Sequence, residues 1–469
     1  MKVAVVGGGI TGLAAAWELR SDAEVTVLEP GSVGGRVRTT DFEGVAVDEG
    51  PDAFITRAPA ALQLCAELGL ADELVSPAAG RTLLWVGGKL RPLPEGLVLG
   101  VPGRLGPVLR SGLLSPMGAL RAGPDLVLPP TPIGEDVGVG ELVAARFGHE
   151  VATRLVEPLL GSIHATTIDG LSASATAPQL LAAARAGRSL LLALGRQGGT
   201  TRSGEPTATG GRAATGGRAA TGGRPALFLA PRTGMGRMVE RLREELVAAG
   251  ASIESVRAGR IGPAPDGRIS VEGAGTFDGV VLAIPARDAA SALGPLSPPG
   301  LTRITATSVT LVTLAWDEAD LTVAPGVNGV LVPPGEGRLM TACSMGSSKW
   351  PHWRLPGRKV LRVSVGRRGD RRAEGLGDTE LVERLAAELR DALGARGEPS
   401  AARVSRWSEA FPHYAVGHPG LVAGIRANLA HRLPGVALAG SSYDGAGVPA
   451  CIASGRAAAS WLRQARAGR

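Results

Sequence analysis

Cysteine is nearly absent from this 469-residue chain, which has only Cys65, Cys343 and Cys451. They lie too far apart for a disulfide framework or a zinc site. Histidine is scarce too. Of the six, only His413 and His418 are close enough to suggest a ligand pair, and no cysteine pair accompanies them. They read as ordinary core or surface residues, so no metal is implied. Long apolar runs are missing: no stretch of about 18 apolar residues escapes Gly, Pro or a charge, which argues against a transmembrane helix. Also missing is any basic run interleaved with aromatics, and aromatics make up only 3% of the chain. Nucleic acid is therefore not an expected partner.

The length allows two or three structural units with sizeable cores. Hydrophobic residues at 44% and charged residues at 20% are ordinary for a soluble globular protein. The net charge of +7, carried almost wholly by arginine, suits phosphates, carboxylates and anionic surfaces alike and decides nothing alone. The opening MKVAVVGGG could pass for the start of a signal peptide, but its glycines and the acidic residues that follow argue against export. A cytoplasmic location is expected.

Val3 to Val6 is a short apolar run, Leu13 to Leu19 is helical in pattern, and Glu24 to Leu28 is a second β-rich run. From about Leu93 to Leu194, Gly and Pro interrupt apolar segments, and helical stretches such as GELVAARFGHEVATRLVEPLL follow. Residues 197–224 repeat TGGR and hold too little apolar material to offset the entropy of ordering, so a flexible insertion is expected. MVERLREELVAAG and TELVERLAAELRDAL read as amphipathic helices and FDGVVLAIP as a buried strand. SVTLVTLAW and LRVSV alternate as antiparallel strands do. GVALAGSSYDGAG gives a strand and a Gly-rich turn, and VPACIASGRAAASWLRQ a final helix.

Between the first strand and helix stands Gly7-Gly8-Gly9-Ile10-Thr11-Gly12. Gly7 permits the tight turn, Gly9 lets the backbone approach a pyrophosphate, and Gly12 lets the helix pack close to the strand. The helix N-terminus presents free N–H groups to phosphate. Glu29, at the end of the second strand, is placed to accept from ribose hydroxyls. The fingerprint is weak by itself, but strand, helix, second strand and acidic residue in register predict a bound dinucleotide.

Gly34-Gly35-Arg36-Val37-Arg38-Thr39 follows Glu29 closely and resembles the GGR-x-x-T element of the amine oxidase and porphyrinogen oxidase flavoproteins. Gly50-Pro51-Asp52-Ala53-Phe54 resembles their turn beside the isoalloxazine ring. Four further blocks resemble oxygen-dependent porphyrinogen oxidases: Glu157 to His164 with Leu171-Ser172, Ser347 to Pro351 (SSKWP), Arg406-Trp407 with Pro412 to His418, and Gly445 to Ile452. They occur in family order over nearly the whole chain. Ser162, His164 and Ala450 depart from the usual Gly, Tyr and Asp, which leaves the fine structure of the substrate pocket open.

The resemblance implies non-covalent FAD held by Gly7, Gly8, Gly9, Ile10, Thr11, Gly12, Glu29, Gly34, Gly35, Arg36, Gly50, Pro51, Asp52, Ala53, Val256, Trp407, Gly447, Val448 and Pro449. Pro449 suits the first turn of a helix whose N-terminus faces the flavin. Cys451 invites comparison with amine oxidases that attach FAD through cysteine, but reads as a small buried residue of the final helix. The implied reaction is oxidation of a porphyrinogen to a porphyrin in three two-electron steps, with O2 reduced to hydrogen peroxide. The flavin carries the difficult chemistry, so no catalytic acid or base is singled out. Arg38 and Arg57 are candidates to bind substrate propionates.

The Ala-, Gly- and Arg-rich composition resembles that of actinobacterial members, which implies coproporphyrinogen III rather than protoporphyrinogen IX as substrate, and a coproporphyrin ferrochelatase as partner. Membrane contact is expected to be peripheral at most. A flavin amine oxidase would share the GGR element but lack the SSKWP and PxYxxGH blocks. The expected fold is α/β. A Rossmann-like FAD-binding domain (1–56, 225–295 and 404–469) accompanies a mixed-sheet α+β substrate domain (57–92 and 296–403) and a helical subdomain (93–196).

Overall fold

Valine and alanine fill both faces of the first strand, and this continuous apolar character is what a strand buried between two helical layers requires. In the computed structural model, which describes residues 1–198, 226–321 and 324–467 (without the side chains of 197, 198, 466 and 467), Val3, Ala4 and Val5 have no exposed surface. The expected flexible insertion falls, from residue 199 onward, outside the described residues.

Five strands form the parallel sheet, in the spatial order Ser252–Glu254, Glu24–Leu28, Lys2–Val6, Gly279–Leu282 and Val436–Leu438. Helices Ile10–Leu19 and Val448–Ala467 pack together on one face, with Leu13, Ala16, Ile452 and Ala459 in a common core. Their axes come very close, since a Cβ on Gly455 would lie 2.2 Å from the Thr11 carbonyl oxygen. On the other face, helices Ala286–Leu293 and His418–Arg432 contribute Ala289, Leu293, Val422 and Ile425 to a second core.

The second sheet is mixed and has seven strands, in the order Ala401–Pro412, Ala306–Asp317, Arg358–Val365, Met340–Ser344, Val327–Leu331, Arg81–Val86 and Lys89–Pro92. All neighbours are antiparallel except Val327–Leu331 and Arg81–Val86, which run parallel. Side chains alternate across it. Val312, Leu314 and Trp316 pack with Leu381, Leu385 and Leu389 of the amphipathic helix Asp378–Leu393, while Val309 and Leu311 face a large cavity.

Two of the expected boundaries cut across this architecture. The boundary at 404 falls inside the strand Ala401–Pro412, which pairs with Ala306–Asp317 along nearly its whole length. Helix Ala60–Glu67, expected with the substrate region, packs Ala61, Leu64 and Cys65 into the core of the parallel sheet instead. Local pattern gives no sign of either, because both depend on partners far away in the chain.

The helical part shares a core of its own, with Val143, Phe147, Leu155, Leu180 and Leu194 buried. A buried ion pair anchors it. Arg146 Nε donates to Asp125 Oδ1 at 2.5 Å, and Asp125 also accepts from Ser189 Oγ at 2.6 Å and the Leu191 amide at 2.9 Å. The segment Ala152–Gly161 is wound as a π-helix with Pro158 inside it. Proline has no N–H to give, and its ring would crowd the carbonyl four residues back in an α-helix. The wider turn accommodates that ring, and such π segments cluster at functional sites.

Candidate functional site

A cavity of about 780 Å³ opens between the two sheets, within the usual range of ligand sites. Its two ends are built differently. At one end lie Gly7, Gly9, Ile10, Thr11, Glu29, Gly34, Gly35, Arg36, Gly50, Pro51, Ala53, Gly447 and Val448. At the other, Val309, Leu311, Thr341, Ser364 and Arg367 of the mixed-sheet side meet Ser162 and His164 at the end of the π segment.

The glycine end is a main-chain device. A Cβ on Gly7 would lie 2.7 Å from the Ala283 carbonyl oxygen, and one on Gly12 would lie 1.9 Å from that of Gly7. Both positions are glycine because backbone fills the space. At Gly9 the opposite holds, since a Cβ there would meet nothing within 4 Å. Gly9 is open towards the cavity, and it caps helix Ile10–Leu19 without any side-chain hydrogen bond to the first-turn amides. Those amides are left to an anion.

Glu29 Oε2 accepts from the Gly8 amide at 2.8 Å and Oε1 from the Gly31 amide at 3.0 Å, which fixes the carboxylate at the rim with lone pairs to spare for hydroxyls. A second helix N-terminus, that of Val448–Ala467, meets the same cavity through Gly447 and Val448, with Pro449 in its first turn. Open glycine space, uncapped amides and a rim carboxylate fit a dinucleotide with a flavin head.

Arg36 lies between the ends, and Nη2 donates to the Glu409 carbonyl at 3.0 Å. Glu409 holds φ at 46°, an uncommon value for a side-chain-bearing residue, and its Oε1 pairs with Arg287 at 2.7 Å. Trp407 lines the cavity and donates from Nε1 to the Glu49 carbonyl at 2.8 Å, with the Arg38 guanidinium 5.5 Å from its ring centre. Cys451 also lines the cavity. Burial pushes its thiol up, and Sγ lies 3.6 Å from the Gly445 carbonyl, so it is held protonated and is a poor nucleophile.

Asp52 is placed elsewhere than the flavin turn suggested. It does not line the cavity. It is the hub that joins that turn to the mixed sheet: Oδ2 accepts from Lys349 Nζ at 2.9 Å and Trp350 Nε1 at 3.0 Å, and Oδ1 lies 3.3 Å from Arg362 Nη2. Burial opposes its ionisation, but Lys349, Arg362 and the Trp350 hydrogen bond outweigh it and hold the carboxyl well below the usual range. The GPDAF and SSKWP blocks are therefore two halves of one contact.

Arg57 and Val256 lie off this cavity's wall, and among the described residues one guanidinium nitrogen of Arg57 is buried without a partner. Val256 packs beside the parallel sheet, its amide donating to the Glu254 carbonyl at 2.9 Å.

Sequence reasoning missed Arg362 and Arg367, which do line the cavity. The alternation in RKVLRVSV was the available signal, because period two puts Arg362 and Ser364 on one face. His164 was noticed only as a departure from a pattern. Its Nδ1 is buried without a partner among the described residues, and burial pushes the imidazole down to about 4, so it stays neutral near pH 7. Among the described residues, no group of three His, Cys, Asp or Glu could hold a metal ion, and no helix is long and apolar enough to cross a membrane.

Residues 10–462 match the family described as flavin containing amine oxidoreductase. A coproporphyrinogen III oxidase of Propionibacterium freudenreichii is 38% identical over 96% of this chain and 89% of its own length. That of Bacillus subtilis is 32% identical over 98% and 97%. The crystal structure of a putative protoporphyrinogen oxidase from an Exiguobacterium species superposes with a TM-score of 0.85 at 29% identity, covering 99% of this chain and 98% of that one.

Proposed function

The chain belongs to the flavin containing amine oxidoreductase family, and from that premise we propose that it oxidises coproporphyrinogen III to coproporphyrin III in heme biosynthesis, with O2 as acceptor and H2O2 as product. The observation that carries the reading is one cavity with a dinucleotide cradle at one end and, at the other, a wide apolar face with half-buried arginine. The full-length likeness to coproporphyrinogen III oxidases supports the choice of substrate.

FAD, when bound, supplies the two-electron redox chemistry. The protein's part is to bind, orient and exclude water. Helix Ile10–Leu19 and Gly9 would offer main-chain amides to the FAD pyrophosphate, and Glu29, held by the Gly8 amide, would accept from its ribose. Val309, Leu311, Val365 and Phe411 give the macrocycle an apolar wall. His164, held neutral by burial, places no charge against an electron-rich ring.

The bacterial relatives support a cytoplasmic site of action. A coproporphyrin ferrochelatase would consume the product.

The test is oxygen uptake and Soret-band appearance with the FAD-loaded enzyme on coproporphyrinogen III and on protoporphyrinogen IX. Faster turnover of the first is expected. Equal rates would remove the preference, and no porphyrin from either would overturn the reading.

A further inference from the structure

Among the described residues four arginines line the cavity, and two of them are paired with carboxylates, Arg38 with Glu49 and Arg362 with Asp52. Arg36, between the two ends, donates to the Glu409 carbonyl. Arg367 stands at the sheet end with no carboxylate beside it. Its hydrogen bond goes from Nη2 to the Val332 carbonyl at 3.1 Å, and among the described residues no carboxylate lies within 4 Å of it.

The chain around Arg367 is held tightly. Gly366 has φ at 105°, and a Cβ there would lie 2.6 Å from the Ser308 carbonyl oxygen. The Arg368 amide donates to the Ala165 carbonyl at 2.9 Å, tying this turn to the end of the π segment.

Within that segment sits Glu157, 8% exposed and with no ion-pair partner within 4 Å among the described residues, its Cγ 3.3 Å from where a Cβ on Gly161 would be. It is near enough to Arg367 for the two charges to act on each other. The other groups facing the pair are accounted for. Asp370 acts on Arg367 more weakly than Glu157 does, and it accepts from Arg372, a like charge to Arg367, at 2.9 and 2.6 Å; Asp169 acts on Glu157 as a like charge.

We propose that Arg367 anchors a propionate of the tetrapyrrole, and that Glu157 is the protein carboxylate that balances Arg367 when no substrate carboxylate is present. The inference rests on the porphyrinogen reading above, because it requires a substrate that carries carboxylates.

A half-buried guanidinium needs a counter-charge, and the planar fork suits a carboxylate. Two carboxylates beside one guanidinium repel each other, so arrival of the propionate favours protonation of Glu157. Burial already pushes Glu157 up to about 7, with Arg367 opposing and Asp169 adding to the shift. Binding therefore takes up a proton near neutral pH. As pH rises above 7, Glu157 ionises, competes for Arg367, and affinity falls.

The experiment is titration of the FAD-loaded enzyme with coproporphyrin III by fluorescence quenching between pH 6 and 9, with FAD content and melting temperature recorded for each variant. For the wild type, Kd should rise by up to about tenfold per pH unit above 7. In Glu157→Gln that slope should vanish, leaving tight binding at pH 8. Arg367→Gln should weaken binding about 10- to 100-fold, the loss of a charge-assisted pair. Arg367→Lys, which keeps the charge without the fork, should fall between.

An unchanged Kd in Arg367→Gln, or a wild-type slope in Glu157→Gln, would overturn the proposal while turnover of coproporphyrinogen III left the functional reading standing. If Arg367→Gln fails to fold, the Glu157→Gln slope decides. A wild-type enzyme that neither binds coproporphyrin III nor oxidises its porphyrinogen would instead overturn the functional reading itself.

Discussion

The two ends of the cavity obey different rules. The glycine end is made of main chain: amides, carbonyls and the space left by missing side chains, with Glu29 the chief side chain that counts. The sheet end is made of side chains from distant segments, namely 162–165, 309–311, 341, 362–367 and 407–411. An end built from backbone depends on local spacing and, at Gly7 and Gly12, tolerates no added atom. An end built from side chains depends on how two sheets are docked, and it can be retuned one residue at a time.

Substitutions can break this contrast, beginning where the two ends are joined. Asp52→Asn leaves the partly buried Lys349 and Arg362 without their counter-charge and should destabilise the FAD-loaded enzyme by about 2–4 kcal/mol in chemical denaturation at pH 7. The carboxyl is held below its unfolded value of roughly 3.9. Its contribution is thus present above that pH and lost as pH falls through the folded value, so wild type and variant should converge on acidification. A gap that persisted at low pH would detach the effect from charge.

The glycine end should split into two behaviours. Gly12→Ala forces its Cβ into the Gly7 carbonyl and should cost about 1–3 kcal/mol of stability, with or without FAD. Gly9→Ala meets no protein atom, so it should leave the apoprotein melting temperature unchanged while lowering FAD retention on gel filtration. Equal stability losses at both positions would erase the distinction between packing and cofactor glycines. The smallest effect is expected at Cys451. Acid precipitation should release all flavin from wild type and Cys451→Ala alike, and retention of flavin by wild type alone would point to a covalent bond.

Sequence legibility followed the same division. Gly7, Gly9, Gly12 and Glu29 could be placed from spacing because the βαβ unit is local, and the observed strand Glu24–Leu28 matches the run read from sequence. The GGR and PxYxxGH blocks narrowed the chemistry. Arg57 was a poor candidate because one arginine in a chain rich in them carries no positional signal. The Asp52–Lys349 contact spans 297 residues, and nothing local announces it. The π winding of Ala152–Gly161 was hidden too. Its apolar residues read as helix, and Pro158 was the only mark that the turn had to widen.

The close approach of Gly455 to Thr11 joins the last helix to the first. That contact imposes an order in time. The first strand and its glycine turn leave the ribosome early. The edge strand Val436–Leu438 and the helix N-terminus at Gly447 and Val448, which complete the same sheet and cavity, come far later in the sequence. A nascent chain therefore carries an unfinished cradle until those segments have been made. FAD then acts as a ligand that draws the chain with both segments in place towards the folded state.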